Sequence, residues 1–242
     1  MSALVFGASA GLGRALAREL AARRENLVLV ARDSEDLAAE AAHLRTVYGV
    51  AVEWMALDAS DPRATEKLTG LSGAPAIHDL FFPVGMGIEE DDGLLPPATI
   101  AALVGANLTS VMATISLFLP GLLAANAGNI VGIGSVAALR GRSRNMAYAA
   151  AKRGLESYFE SLRHRTAATD VRVQFYRLGY LDTQMSFGRH LPFPKASTQA
   201  IACTVVRNLG RDVGCVPLPA FWRPIGWALR ALPWRIYRRL NF

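Results

Sequence analysis

The chain has 242 residues, 52% of them hydrophobic, and a formal net charge of +6. That length suits a single α/β domain with a large core. Two cysteines, Cys203 and Cys215, with no CxxC and no histidine cluster, argue against a disulfide framework or a metal site and fit a reducing, cytoplasmic compartment. The first strand begins almost at Met1, leaving no room for a signal peptide, and no apolar run is expected to reach the roughly 18–20 residues of a bilayer span.

In chain order, 3–6 reads as a short apolar strand opening into a glycine turn, and 11–24 as a helix. Strand two is 27–30, followed by a helix with Ser34 as N-cap and Leu37, Ala41 and Leu44 facing inward. Strand three spans 50–57, strand four 78–83 and strand five 129–133; the apolar stretch 97–125 is long enough for two consecutive helices. A helix over 145–167, strand six at 171–176 and a short seventh at 214–217 complete the series. Alternating β and α units with unbroken apolar strands predict an α/β fold: a doubly wound parallel sheet of about seven strands with helices on both faces. With no repeat or linker, residues 1–220 read as one Rossmann-type domain, and 221–242 as an amphipathic, basic extension.

The first turn runs Gly7-Ala8-Ser9-Ala10-Gly11-Leu12-Gly13. Glycines let a backbone approach a pyrophosphate, and the free N–H groups of the helix start favour its charge. Gly7, Ser9, Gly11, Leu12 and Gly13 are therefore candidate nucleotide-binding residues. The spacing is GxxxGxG, and any βα turn favours glycine, so the strand–turn–helix context carries the reading. Strand two ends in Ala31-Arg32-Asp33. A carboxylate at its last position would bind a ribose 2′-OH; Arg32 instead suits a 2′-phosphate, which favours NADP(H) with NAD(H) still admissible. Arg32 also reads as an ordinary solvated loop residue. Asp58 could touch an adenine amino group or serve its own turn.

Ser135 closes strand five, and Tyr148 and Lys152 stand four apart on the next helix, on one face. Reducing a carbonyl needs a proton donor for the oxygen as hydride reaches the carbon. A nearby ammonium, Lys152, is expected to lower the phenol's pKa, and Ser135 to hydrogen-bond the oxygen.

This set resembles the short-chain dehydrogenases/reductases over nearly the whole chain. The resemblance implies an enzyme with catalytic Asn107, Ser135, Tyr148 and Lys152, Asn107 holding a water that relays protons to Lys152. It adds Gly85 to the cofactor site and has Gly179 and Thr183 contact the nicotinamide carboxamide. Phe6, Pro83-Val84-Gly85-Met86 and Leu178-Gly179 depart from the family pattern and put the detailed cofactor contacts in doubt. The run Ser-Val-Ala-x-x-Arg-Gly-Arg-x-x-Asn-x-x-Tyr ending at Tyr148, the segment Thr183-Gln184-Met185-Ser186-Phe187-Gly188 and the Trp-Arg-Pro-containing C-terminus are similar to decaprenylphosphoryl-2-keto-pentose reductases. That likeness implies a lipid-phosphate-linked keto-sugar, a separate flavin oxidase as partner, and a place among cell-wall polysaccharide precursors.

From 213 to 242 there is no acidic residue, while Arg223, Arg230, Arg235, Arg238 and Arg239 interleave with tryptophans and aliphatics. This fits peripheral contact with the inner face of a membrane; packing on the domain or on a subunit is the plainer reading. No nucleic-acid motif is present. A homo-oligomer is the family expectation, and 187–195 is expected to cover the substrate. A long-chain lipid ketone is the alternative substrate, and a non-catalytic nucleotide-bound regulator the alternative class.

Overall fold

The computed structural model describes residues 2–72, 77–88, 91–183, 188 and 193–240. In chain order it comprises β1 (Ser2–Phe6), α1 (Gly11–Ala22), β2 (Asn26–Ala31), α2 (Ser34–Tyr48), β3 (Val52–Ala56), a 3-10 turn (Ala64–Leu68), α3 (Thr69–Ser72) and β4 (Ile77–Phe82). There follow α4 (Pro97–Val104), a π turn (Gly105–Thr109), α5 (Ser110–Ala125), β5 (Asn129–Ser135), a 3-10 turn (Val136–Leu139) and α6 (Met146–Arg165). The chain closes with β6 (Arg172–Leu178), α7 (Thr198–Arg207), β7 (Cys215–Leu218), α8 (Trp222–Ala231) and α9 (Trp234–Tyr237).

The seven strands form one parallel sheet ordered β3-β2-β1-β4-β5-β6-β7. The order reverses between β1 and β4, which opens a crevice at their carboxyl ends. Side chains alternate across the sheet. Ala3 and Val5 of β1 join Leu16 and Leu20 of α1, Leu37 and Leu44 of α2 and Val205 of α7 on one face. Leu4 and Phe6 join Val111, Ile115 and Phe118 of α5 and Leu155 and Phe159 of α6 on the other. Each such buried Val, Leu, Ile or Phe side chain contributes about 1.5–3 kcal/mol.

Three local readings change. Asp33, not Ser34, caps α2: its carboxylate accepts the Asp36 N–H at 2.9 Å, and Ser34 is the first helical residue. The expected pair of helices over 97–125 is one rod, in which a π turn joins α4 to α5 without a break. This rod is 29 residues long and apolar enough to cross a membrane, contrary to the expectation that no run reaches that length. Its inward face instead packs on the sheet through Val111, Ile115, Phe118 and Leu122, as a core helix does.

Candidate active site

The glycine turn is built so tightly that side chains cannot enter it. A Cβ on Gly13 would lie 1.8 Å from the Gly7 carbonyl oxygen, and one on Gly7, at φ +109°, would lie 2.8 Å from the Val84 backbone. The turn therefore keeps a bare backbone cradle at the N-terminus of α1, which fits a pyrophosphate. Ser9 gives its carbonyl to the Arg14 guanidinium, Leu12 is buried under the turn, and Thr183 lies against Gly11. These elements bring the far ends of the predicted cofactor set together.

Arg32 is exposed past the end of β2. The carboxylate beside it, Asp33, is engaged in capping α2. Asp58 accepts from the backbone N–H and hydroxyl of Ser60, at 2.9 and 2.7 Å. Those bonds, together with the Arg32 charge, hold its carboxyl below the ordinary value. The turn role of Asp58 is thus present in the structure, with its second oxygen left for other partners.

Ser135 ends β5 beside Leu178 of β6, and its Oγ accepts the Ala137 N–H at 3.1 Å. The π turn sets Asn107, fully buried, beneath the loop after β4. Its Nδ2 donates to the carbonyls of Met86 (2.8 Å) and Leu103 (2.9 Å), and its Oδ1 accepts the Met86 N–H at 3.2 Å. Lys152 is 3% exposed, and its Nζ donates to the carbonyls of Val84 and Ile133, each at 3.1 Å. An ammonium has three protons to donate, so one remains. Gly85 lies between the two residues, a Cβ there being 3.3 Å from Asn107 Oδ1 and 3.6 Å from Lys152 Nζ. The Pro83-Val84-Gly85-Met86 turn thus serves Asn107 and Lys152 through its backbone.

Electrostatics differ from the expectation at Tyr148. Burial raises its phenol, and the counter-pull comes from the Ser135 hydroxyl and the Arg142 charge rather than from Lys152. Lys152 is itself pushed down to about 8 by burial. An arginine between Ser135 and Tyr148 thus shares the site, and sequence reasoning gave it no role.

Two further residues escaped sequence reasoning. Asp91, 2% exposed, accepts the Tyr148 N–H through Oδ2 at 3.1 Å and so caps α6 from a distant loop. Trp222 of α8 sits on Gly179, where a Cβ would lie 1.8 Å from its Nε1. Tyr180 and Phe193 pack edge-on against the same indole at 5.9 and 4.8 Å. Asp91 belongs to no local motif, and the Trp-Arg-Pro run that holds Trp222 gives no sign of the glycine it covers. The expected cover at 187–195 and the segment 184–187 lie outside the described residues, apart from Gly188 and 193–195. Among the described residues, no group of three or more His, Cys, Asp or Glu could hold a metal.

The sequence matches the family profile described as short chain dehydrogenase over residues 1–190. An uncharacterized oxidoreductase of Myxococcus xanthus is 33% identical over 195 residues, 80% of this chain and 77% of that protein. Another, from Mycobacterium tuberculosis, is 29% identical over 98% of this chain and 96% of its own length. The solved structure of a short-chain dehydrogenase from Sphingobium yanoikuyae in complex with NADPH superposes with a TM-score of 0.85 at 24% identity, covering 99% of this chain and 96% of that one.

Proposed function

The chain belongs to the short-chain dehydrogenases, and from that premise we propose that it reduces a ketone to a secondary alcohol using NADPH, with Tyr148 as the acid. The observation that carries the reading is the convergence of Asn107, Ser135, Tyr148 and Lys152 at the carboxyl edge of the sheet, beside a side-chain-free cradle.

Tyr148 gives its proton to the carbonyl oxygen in reduction and takes it back in oxidation. Ser135 hydrogen-bonds that oxygen as charge develops on it. Lys152, with its third N–H, holds the ribose and the proton supply of Tyr148, and Asn107 fixes the loop against which Lys152 rests. The cofactor, when bound, supplies the hydride. Gly7, Ser9, Gly11, Leu12 and Gly13 hold its diphosphate, Asp58 its adenine, and Gly85, Gly179 and Thr183 its nicotinamide half. Arg32 supports NADPH over NADH: its guanidinium is exposed while the adjacent Asp33 caps a helix.

For the substrate, the residues from Ser135 to Tyr148 and the basic C-terminal arm support a polyprenylphosphate-linked 2-keto sugar, made by a flavin oxidase and met at the cytoplasmic membrane face. The exposed indoles of that arm also suit a long-chain lipid ketone, which is the second reading.

NADPH oxidation with a polyprenylphosphoryl 2-keto-pentose, simple soluble ketones and a long-chain 3-keto lipid tests both readings. Turnover of the keto-sugar alone is expected; turnover of another ketone only would replace the substrate and keep the chemistry. Tyr148→Phe is expected to lower kcat about 10²–10⁴-fold while leaving NADPH affinity within about twofold. A variant as active as the parent would overturn the assigned acid.

A further inference from the structure

Asp91 serves α6 from outside the helix. The residue is 2% exposed, and its Oδ1 is one of four buried side-chain polar atoms among the described residues with no hydrogen-bond partner. Such atoms are rare in folded proteins, and burying a carboxylate with one oxygen unsatisfied is costly. A helix start is capped more cheaply by a Ser, Thr, Asp or Asn placed just before it. α6 forgoes that device. Asn145 precedes it at φ +55°, the Asn145 side chain makes no capping bond, and the first turn holds no acidic residue. The first N–H groups of a helix have no acceptor within it, and here two of them turn to Asp91. Its carbonyl accepts the Met146 N–H at 3.4 Å, and its Oδ2 accepts the Tyr148 N–H at 3.1 Å. Gly93, at φ +96°, lies so close to the same turn that a Cβ there would stand 2.9 Å from Met146 Sδ.

Tyr148 is the third residue of α6 and so lies in the turn that frays when its cap is lost. Lys152, one turn further on, is held independently by the carbonyls of Val84 and Ile133. The loop that carries Asp91 includes that same Val84, and Met86, which bonds Asn107. One loop after β4 thus reaches Lys152, Asn107 and Tyr148, the last through the Asp91 carboxylate.

We infer that Asp91 is a positioning residue for the reduction: its carboxylate pins the first turn of α6 and so keeps the Tyr148 phenol in register with Ser135 and Lys152. It acts through the Tyr148 backbone and touches neither cofactor nor substrate in this role. A misplacement of about 1 Å in a reacting group costs on the order of 10²-fold in rate. The loss of the tie therefore falls on proton transfer, while the glycine turn and Lys152 keep their own supports. This inference rests on the reductase reading above.

The test separates position from charge and from fold. NADPH oxidation is followed with the ketone of the panel above that the wild type turns over fastest. Asp91→Ala should lower kcat about 10- to 100-fold while KM and NADPH affinity stay within about twofold. Asp91→Asn, whose amide oxygen still accepts the Tyr148 N–H without the charge, should recover kcat to within about threefold of wild type. Asp92→Ala, at an exposed neighbour that accepts the Leu94 N–H instead, should match the wild type. Amide hydrogen exchange at Tyr148 needs no substrate and should be at least about tenfold faster in Asp91→Ala than in wild type or Asp91→Asn. Full activity or unchanged exchange in Asp91→Ala would overturn the inference. So would an equal loss in Asp91→Asn, which would assign the effect to charge. A parallel loss of NADPH affinity in Asp91→Ala would overturn it too, by making Asp91 a residue of the fold alone. A wild type that reduces no ketone while the exchange contrast persists would remove the reductase reading and keep Asp91 as the anchor of Tyr148.

Discussion

At the scale of single residues, burial sets the charge of the site. Lys152 is enclosed and bonded to two carbonyls, and burial lowers it from 10.5 to about 8. Between those values the unfolded chain holds the proton more tightly than the folded one. The contribution of Lys152 to stability therefore rises as pH climbs from about 8 to 10.5, and below 8 the cost of burying its charge is present in full. Cys215 and Tyr176 are raised by burial and act in the opposite sense as pH rises, so the comparison must be made against a variant. In the absence of cofactor, the unfolding free energy of the wild type relative to Lys152→Met should increase across that window. Parallel pH profiles would refute it. Tyr148, Lys152 and Ser135 could be nominated from the sequence, because i, i+4 on a helix after a strand end is a local geometry, and the family resemblance made the set specific. Arg142 and Asp91 were not, because their roles depend on what packs around them.

At the scale of elements, the C-terminal helices hold the loop between β5 and α6 in place. Arg140 caps α8 through two carbonyls, its guanidinium lies 3.9 Å over the Tyr237 ring, and Tyr237 bonds back to Gly141. Arg140→Ala should cost about 2–4 kcal/mol from charged hydrogen bonds and the ring contact. Turnover should fall at least about tenfold, because the loop carries the approach to Tyr148. The exposed neighbour Arg144→Ala should change stability by less than about 0.5 kcal/mol. Equal effects from the two would show that the clasp does nothing for the site. The π turn in the long rod makes a second case. Its sequence, Gly105-Ala106-Asn107-Leu108-Thr109, reads as ordinary helix, and the extra residue in the turn is stabilised by the bonds Asn107 makes to the loop after β4.

At the scale of the whole molecule, charge and apolar surface are unevenly spread. Trp227, Trp234, Ile236 and Leu240 stand 79%, 66%, 52% and 43% exposed on an arm whose only charged residues are arginines. Trp222 and Tyr237 of the same arm are buried against the domain. The arm thus packs on the domain through one set of aromatics, as the plainer reading of its sequence held, and leaves another set exposed. In flotation assays the protein is expected to bind vesicles containing phosphatidylglycerol and to lose at least about tenfold in partitioning at high salt. Replacing both Trp227 and Trp234 by Ala should weaken binding to a similar degree. Undiminished binding by that double variant, or equal binding to neutral vesicles, would rule out the arm as the contact.

The sequence by itself determined the α/β alternation, the parallel sheet, the glycine turn and the spacing of Ser135, Tyr148 and Lys152, while Asn107 entered only through the family resemblance. Each is encoded by residues near one another in the chain, where hydrophobic period, glycine placement and helical spacing act directly. Only the tertiary structure decided which carboxylate caps α2, that 97–125 is one rod, and that Val84 and Met86 serve the site through their backbone. It also decided that the C-terminal arm fastens the loop holding Arg142. These depend on backbone carbonyls and buried charges meeting across distant segments. A hydrogen bond to a carbonyl selects for position and hardly at all for residue type, so it leaves little trace in the sequence.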